Sequence, residues 1–309
     1  MYIRVLAAIT LFSTAPASVA WSDDTSEASS FLTAWASNVH AIESYRVRMH
    51  RVDSSLTPDG TWSESESKYV IAANHLKQEF LVQCEHTKSQ ALENKPKATS
   101  LCTTAYAVSK DSGWKLECGG NVSKLANQNH VLMSGLQFPD VRHLGVMRFF
   151  KRYPPVQDLE KEMDALFAPS KPMTLRRLAN GDVIIGLPTV AGDFQYVQTW
   201  VMDGQSFVPR SFVHSVKKID GKKPATRIVS EEYKWKEFRG VLLPVEILGE
   251  ELKLFSKNKG DPKQQFTVTY EAKFAWENVN DDFEIDTDAV TSAADVAKTV
   301  REGMQVFKK

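Results

Sequence analysis

Ser44-Tyr45-Arg46-Val47-Arg48-Met49-His50 is the most informative stretch of this chain. Its apolar residues Tyr45, Val47 and Met49 alternate with Arg46, Arg48 and His50. This is the period of a strand with one buried face and one basic face. Just upstream the period changes. Phe31, Trp35, Val39 and Ile42 recur at helical spacing and form a single apolar stripe. Ser29 and Ser30 are placed to cap a helix running from about Phe31 to Glu43. The chain therefore enters its fold as one amphipathic helix followed by a half-buried strand.

Downstream the strand pattern dominates. Strands are expected over 61–72, 77–84, 101–109 and 114–118, the last two joined by the turn composition Lys110-Asp-Ser-Gly113. A helical stretch then interrupts, with segments near 141–150 and 157–167. Strands resume at Thr174-Leu-Arg-Arg, where Asn180-Gly181 suits a type I′ hairpin turn into Asp182-Val-Ile-Ile-Gly186. Asp203-Gly204 and Arg239-Gly240 mark two more hairpins, within 194–216 and 227–248. A long strand over 265–276 and a terminal helix over 293–307 complete the order. Short connections make successive strands antiparallel neighbours, so the expectation is a large α+β meander sheet. A twisted sheet of about ten strands tends to curl, and the first helix has its hollow to fill. Two phrases echo each other, Asp203-Gly…Val208-Pro209 and Arg239-Gly…Leu243-Pro244, without amounting to a repeat.

The N-terminus reads as a targeting segment. Met1-Tyr-Ile-Arg4 precedes an apolar run from Val5 to Phe12, and Ser18 and Ala20 supply the small residues of a cleavage site. Residues 1–20 are thus expected to be a signal peptide, and residues 21–309 a single exported domain with a helical insert at about 121–170. The apolar run of roughly eight residues is too short for a bilayer core that needs about 20. No cysteine stands where an acyl anchor would attach, so the location implied is periplasmic or secreted, without stable membrane insertion. Lys plus Arg and Asp plus Glu balance at 38 each, which argues against a nucleic-acid partner.

Three cysteines, Cys84, Cys102 and Cys118, follow the leader. An oxidising compartment lets two of them pair. Cys84 and Cys102 lie nine residues either side of position 93 in a polar, loop-like segment. A hairpin centred there sets them opposite each other, so Cys84–Cys102 is favoured over Cys102–Cys118. The closed loop would stabilise the fold by roughly 3 kcal/mol. No C-x-x-C occurs and the seven histidines lack ligand spacing, so no metal is expected. Nor is any cofactor. G-x-S-x-G, H-E-x-x-H, Walker and G-x-G-x-x-G motifs are absent from the sequence. Cys118-Gly-Gly-Asn121 reads as a turn and Asp281 to Asp288 as a solvated strand end.

The strands carry large apolar residues at alternate positions: Phe194, Tyr196, Trp200 and Met202 on one, Phe266, Val268, Tyr270 and Phe274 on another. These either fill a solid core or line a hydrophobic cavity. The order of elements, with Thr199-Trp-Val-Met-Asp203, Val208-Pro-Arg210, Tyr233-Lys-Trp…Gly240-Val-Leu-Leu-Pro244 and Asn278-Val-Asn-Asp-Asp-Phe283, resembles the LolA/LolB-type lipoprotein carriers and their larger outer-membrane lipoprotein-sorting relatives. The resemblance covers most of residues 30–290. It implies an incurved antiparallel half-barrel, helices plugging its concave side, and acyl chains held in the hollow. The family's carriers are shorter, and this chain adds the 121–170 stretch.

On that reading the chain is a non-catalytic carrier of lipid or acylated lipoprotein. Phe31, Trp35 and Val39 form the lid, and Tyr196, Trp200, Met202, Tyr270 and Phe274 the lining. Arg46, Arg48 and His50 form a polar rim for a headgroup or an envelope protein partner; the plainer alternative is an ordinary exposed face. A second reading keeps the fold but fills the core, leaving a sensor or scaffold that binds protein. A hydrolase with scattered catalytic groups has no sequence feature in its favour.

Overall fold

The computed structural model describes residues 25–91, 98–109, 112–125, 142, 144, 172–219, 225–255, 264–287 and 291–308. The segments expected to be a signal peptide and a helical insert lie, the first wholly and the second almost wholly, outside the described residues. The described part of the insert region opens not with a helix but with a strand, Val122–Leu125.

Helix α1 spans Thr25–His40. It already runs from Thr25, so Ser29 and Ser30 sit inside it instead of capping it; the Ser30 hydroxyl donates back to the Ser26 carbonyl at 3.0 Å. Its apolar stripe, Phe31, Leu32, Trp35, Ala36 and Val39, is buried as the spacing requires. Six strands follow: β1 Ser44–Leu56, β2 Trp62–Asn74, β3 Glu79–Ala91, β4 Ala98–Val108, β5 Gly113–Leu116 and β6 Val122–Leu125. Seven more complete the sheet: β7 Thr174–Arg177, β8 Val183–Ala191, β9 Phe194–Met202, β10 Pro209–Lys218, β11 Thr226–Phe238, β12 Val241–Phe255 and β13 Gln264–Val279. Helix α2, Ala293–Gly303, runs into a 3₁₀ turn over Met304–Lys308. Ser292 caps α2, its hydroxyl accepting from the Asp295 N–H at 3.2 Å.

All thirteen strands form one antiparallel sheet, ordered β6-β5-β4-β3-β2-β1-β13-β12-β11-β10-β9-β8-β7. It is two meanders rather than one. The chain winds outward from β1 to β6, reappears at the far edge as β7 and winds back to β13, which pairs with β1 from Tyr45↔Val279 to Ser55↔Val268. Among the described residues the sheet is not closed: β6 and β7 are its two edges. Its inner face nevertheless carries one continuous apolar cluster joining Tyr106 and Val108 on β4 to Leu175 on β7 and Ile185 on β8, with the α1 stripe in its middle. Such a cluster requires the sheet to curve around the helix. Asn38 completes the seat, its side-chain amide exchanging hydrogen bonds with the Leu242 backbone at 3.0 and 3.1 Å.

The second helix does not enter the hollow. Val296 and Val300 of α2 pack on Val70, Ala105, Ala107, Trp114 and Leu116, which alternate with the inward-facing residues and so form the outer face. Among the described residues only α1 plugs the concave side.

The disulfide joins Cys102 to Cys118, not to Cys84, which is a buried free thiol. The β3–β4 register explains the correction. Cys84 pairs with Thr104 and Cys102 with His86, a two-residue offset from the expected hairpin. On its other side β4 pairs with β5, and Cys118, just beyond β5, brings its Cα to 5.2 Å from that of Cys102.

The turn at Asn180-Gly181 also differs from expectation. The Gly181 N–H donates to the Leu178 carbonyl at 3.0 Å, and Gly181 has φ +90° while Asn180 does not adopt positive φ. This is a type I turn closed by a left-handed glycine. The echoed phrases form different turns, but each of their prolines offers its carbonyl to a tryptophan of the next strand. The Trp235 indole donates to the Pro209 carbonyl at 2.5 Å and the Trp276 indole to the Pro244 carbonyl at 2.8 Å.

Candidate functional site: the two halves of the hollow

Alternation sends Tyr45, Val47, Met49, Arg51, Asp53 and Ser55 of β1 inward, and the character of this file changes along its length. Tyr45, Val47 and Met49 are completely buried in the cluster beneath α1. Beyond them the same face turns polar, and near the strand ends it opens into a chamber of about 640 Å3. Its walls are Asp53, Ser55 and Thr57 from β1 and its turn, Thr61, Ser63 and Ser65 beside and within β2, Lys88 and Gln90 on β3, Lys253 on β12, and Phe266 and Val268 on β13.

A belt of polar side chains separates the halves. The Glu231 carboxylate, 0% exposed, accepts hydrogen bonds from the hydroxyls of Tyr233 and Tyr270. Burial, then the neighbouring Glu231 charge, pushes the Tyr270 hydroxyl well above its ordinary pKa, so it stays a donor. Arg51 stacks on the Tyr270 ring, 4.5 Å from its centroid, and its Nε donates to both Asp53 oxygens at 2.9 and 3.0 Å. The pairs Glu231↔Gly249, Gly249↔Tyr270, Tyr270↔Asp53, Asp53↔Ser65 and Ser65↔Lys88 form one row across six strands. In the adjoining row Ser67 Oγ lies 2.8 Å from His86 Nδ1. Burial lowers the His86 pKa, which favours a neutral ring.

The lid and lining residues expected from the sequence divide between these halves. Phe31, Trp35, Val39, Trp200, Met202 and Phe274 are brought together in the packed half. Trp35 meets Trp235 edge-on at 4.8 Å and Phe31 meets Phe207 at 5.2 Å. The buried indole N–H of Trp35 has no hydrogen-bond partner among the described residues. Tyr270 belongs to the belt. Tyr196, half-buried, lies four residues from Trp200 toward the chamber end of β9, its ring 6.0 Å from that of His214.

Arg46, Arg48 and His50 alternate with the buried file and so occupy the outer face, apart from the hollow. Arg48 pairs with Glu277 and packs against Gly303, His50 pairs with Glu66 at 2.8 Å and lies 6.0 Å from the Phe307 ring, and Arg46 lies over the Phe283 ring. Much of this face is roofed by the C-terminal segment.

Sequence reading missed Glu231, Gly249, Arg51 and Asp53. Two signals were present: a charged residue at an inward position of β11, and a glycine inside β12. Among the described residues no group of three or more His, Cys, Asp or Glu side chains is arranged to hold a metal, and no helix is long and apolar enough to cross a membrane.

No protein-family model matches the chain, and no curated protein matches it. Solved structures resemble it distantly. A DUF1329 family protein from Desulfovibrio piger is 12% identical, covers 86% of this chain and 96% of its own, and has a TM-score of 0.36. A putative outer membrane lipoprotein-sorting protein domain from Vibrio parahaemolyticus is 10% identical, with coverages of 88% and 98% and a TM-score of 0.31. A beta-barrel-like protein of the DUF1849 group from Brucella abortus is 10% identical, with coverages of 77% and 100% and a TM-score of 0.32. Likenesses this loose assign no activity to the chain.

Proposed function

We propose that this chain is a non-catalytic carrier in the bacterial periplasm that holds an acyl-chain ligand, a lipid or an acylated lipoprotein, along the inner face of its curved sheet. One observation carries the reading. The inward file of β13 is continuous from Phe266 and Val268 in the open chamber, past Tyr270, to Ala272 and Phe274 in the packed core. An amphiphile has a place for its head among the hydroxyls and lysines and an apolar track for its tail. Burying that tail would contribute about 0.8 kcal/mol per methylene. The chamber volume falls within the roughly 300–1,000 Å3 usual for small-molecule sites.

With α1 seated the track is full, so long chains enter as α1 lifts. The Trp35 indole N–H, unpaired in this state, gains an acceptor when a ligand carbonyl arrives; a buried donor left unmet costs about 1–3 kcal/mol. The disulfide fits an oxidising compartment.

A scaffold that binds protein partners is the second reading. It is favoured by the near-complete burial of Trp35, Trp200 and Met202, all at 2% exposure or less. Native mass spectrometry with lipid extraction, on the protein purified from a bacterial periplasm, separates the two. The carrier reading expects bound acyl-chain ligand, diminished by Ser65→Trp, which fills the chamber without touching the core. A clean apo mass, with no uptake of added fatty acid, phospholipid or acylated peptide, supports the scaffold instead.

A further inference from the structure

The antiparallel register brings one end of many strands to the end of the sheet at which the chamber opens. β1 ends at Leu56 beside the start of β2, β8 and β9 meet at Ala191↔Phe194, β10 ends opposite the start of β9 at Lys218↔Phe194, and β12 ends opposite the start of β13. Exposed large apolar side chains collect at this mouth. Leu56, Val190 and Leu254 are 62%, 63% and 59% exposed, and Phe194 and Ile219 are exposed beside them. Leu56 and Leu254 each follow an inward-facing chamber residue, Ser55 and Lys253, and so point to the outer side of the rim. Isolated surface apolar residues need no explanation, but several of them gathered at one end of a sheet mark an interaction surface.

Exposed positive charge is in excess at the same end. Lys88, Lys217, Lys218, Arg227 and Lys253 are exposed at the mouth, against exposed Asp59 and Asp193. The opposite end has no such excess: exposed Glu43, Asp282, Glu284 and Asp286 are matched there by exposed Lys77, Arg177, Arg210 and Arg239.

We propose that the mouth docks reversibly on an anionic lipid bilayer, its apolar rim entering the headgroup layer and its lysines meeting lipid phosphates. A basic face with scattered apolar tips suits that surface, because each apolar side chain gains burial while the lysine stems reach charged heads. Docking in this orientation sets the chamber against the membrane. It stands whether or not the chamber carries a lipid.

Vesicle co-sedimentation of the full protein tests it. Mixed phosphatidylglycerol–phosphatidylcholine vesicles are expected to bind the protein at low salt and release it as salt rises, with pure phosphatidylcholine vesicles binding roughly tenfold less. Phe194→Asp with Leu254→Asp, at exposed positions that keep the melting temperature, lowers binding to mixed vesicles by roughly tenfold. Lys217→Gln with Lys218→Gln weakens it and flattens the salt dependence. Leu76→Asp at the opposite end changes nothing. Absence of binding to either vesicle, equal loss from Leu76→Asp, or rim substitutions that leave binding intact would each overturn the proposal. So would rim substitutions that only dissociate a protein dimer, which would make the mouth a contact between copies of this chain.

Discussion

The ring of Tyr270 lies directly over Gly249, so closely that a β-carbon at position 249 would occupy the place of the phenol. Gly249 has an ordinary strand conformation, and its lack of a side chain is what allows Tyr270 to cross the neighbouring strand and reach Glu231. Gly249→Ala is expected to displace Tyr270 and destabilise the protein by about 1–3 kcal/mol. Tyr270→Phe keeps the ring and removes one donor from a fully buried carboxylate, costing about 1–3 kcal/mol. Urea midpoints of the two variants and their combination check this. Energies that simply add would show that the two positions are not coupled.

Arg301 Nε pairs at 2.6 Å with Glu85, a carboxylate only 4% exposed on the outer face of β3. Arg301→Ala leaves that charge buried and is expected to destabilise by about 1–3 kcal/mol, less than for a sealed pair because Arg301 itself is largely exposed. Glu85→Gln in the Arg301→Ala background should recover most of the loss. Thermal melts of the four proteins in the cycle measure it, and a double variant as weak as the single would count against the latch.

Cys84 is expected to resist a thiol reagent at pH 8 in the native protein and to react as one thiol after denaturation. Peptide mapping without reduction should recover Cys102 joined to Cys118. Burial pushes the Cys84 thiol up to about 12, whereas an unfolded thiol ionises near pH 8.5. Its contribution to stability is therefore whole below about pH 8.5 and declines as pH rises toward 12, by up to about 1.4 kcal/mol per pH unit. Urea midpoints against pH should fall on this limb for the natural protein and fall less for Cys84→Ala.

At the acid end Asp203 works in the opposite sense. The Ser206 backbone N–H, with further bonds from Gln205 and Arg210, holds its carboxyl well below the usual range. The stabilisation is present above about pH 4, where an unfolded aspartate is ionised, and is lost as pH falls. Asp203→Asn should flatten the acid limb of the stability profile. It should also loosen the turn that sets Phe207 against Phe31, visible as faster hydrogen exchange in α1.

Trp35→Ala removes the centre of the α1 stripe and is expected to cost about 3–5 kcal/mol. If α1 is a movable plug, near-ultraviolet circular dichroism should show that the sheet stays folded while an environment-sensitive dye enters the vacated space. Loss of all tertiary signal would show instead that α1 and the sheet fold as one unit.

The elements were largely legible because their signals are local. Phe31, Trp35 and Val39 declare a helix face at spacings of four, and Tyr45, Val47 and Met49 a strand face at spacings of two, since backbone geometry fixes both periods. The candidate site was less legible. Phe274 and Trp200 were identified as inward-facing, but Arg51 and Asp53 continue the same file as Met49, and nothing local marks where a buried face becomes a chamber wall. The disulfide failed by a register shift: two residues along β3 and β4 separate a correct hairpin from the correct partner of Cys102.

Alternation and helical spacing were enough to establish an antiparallel α+β protein with one amphipathic helix, because each depends on neighbours a few residues apart. The pairing of β1 with β13, the passage of α2 to the outer face, and the junction of Glu231, Gly249, Tyr270 and Asp53 depend on residues up to about 230 positions apart. So does the collection of Leu56, Phe194 and Leu254 beside five basic residues at one opening. Net charge and composition sum over the chain and lose position; only packing and strand register assign each charge and each apolar side chain to an end of the sheet.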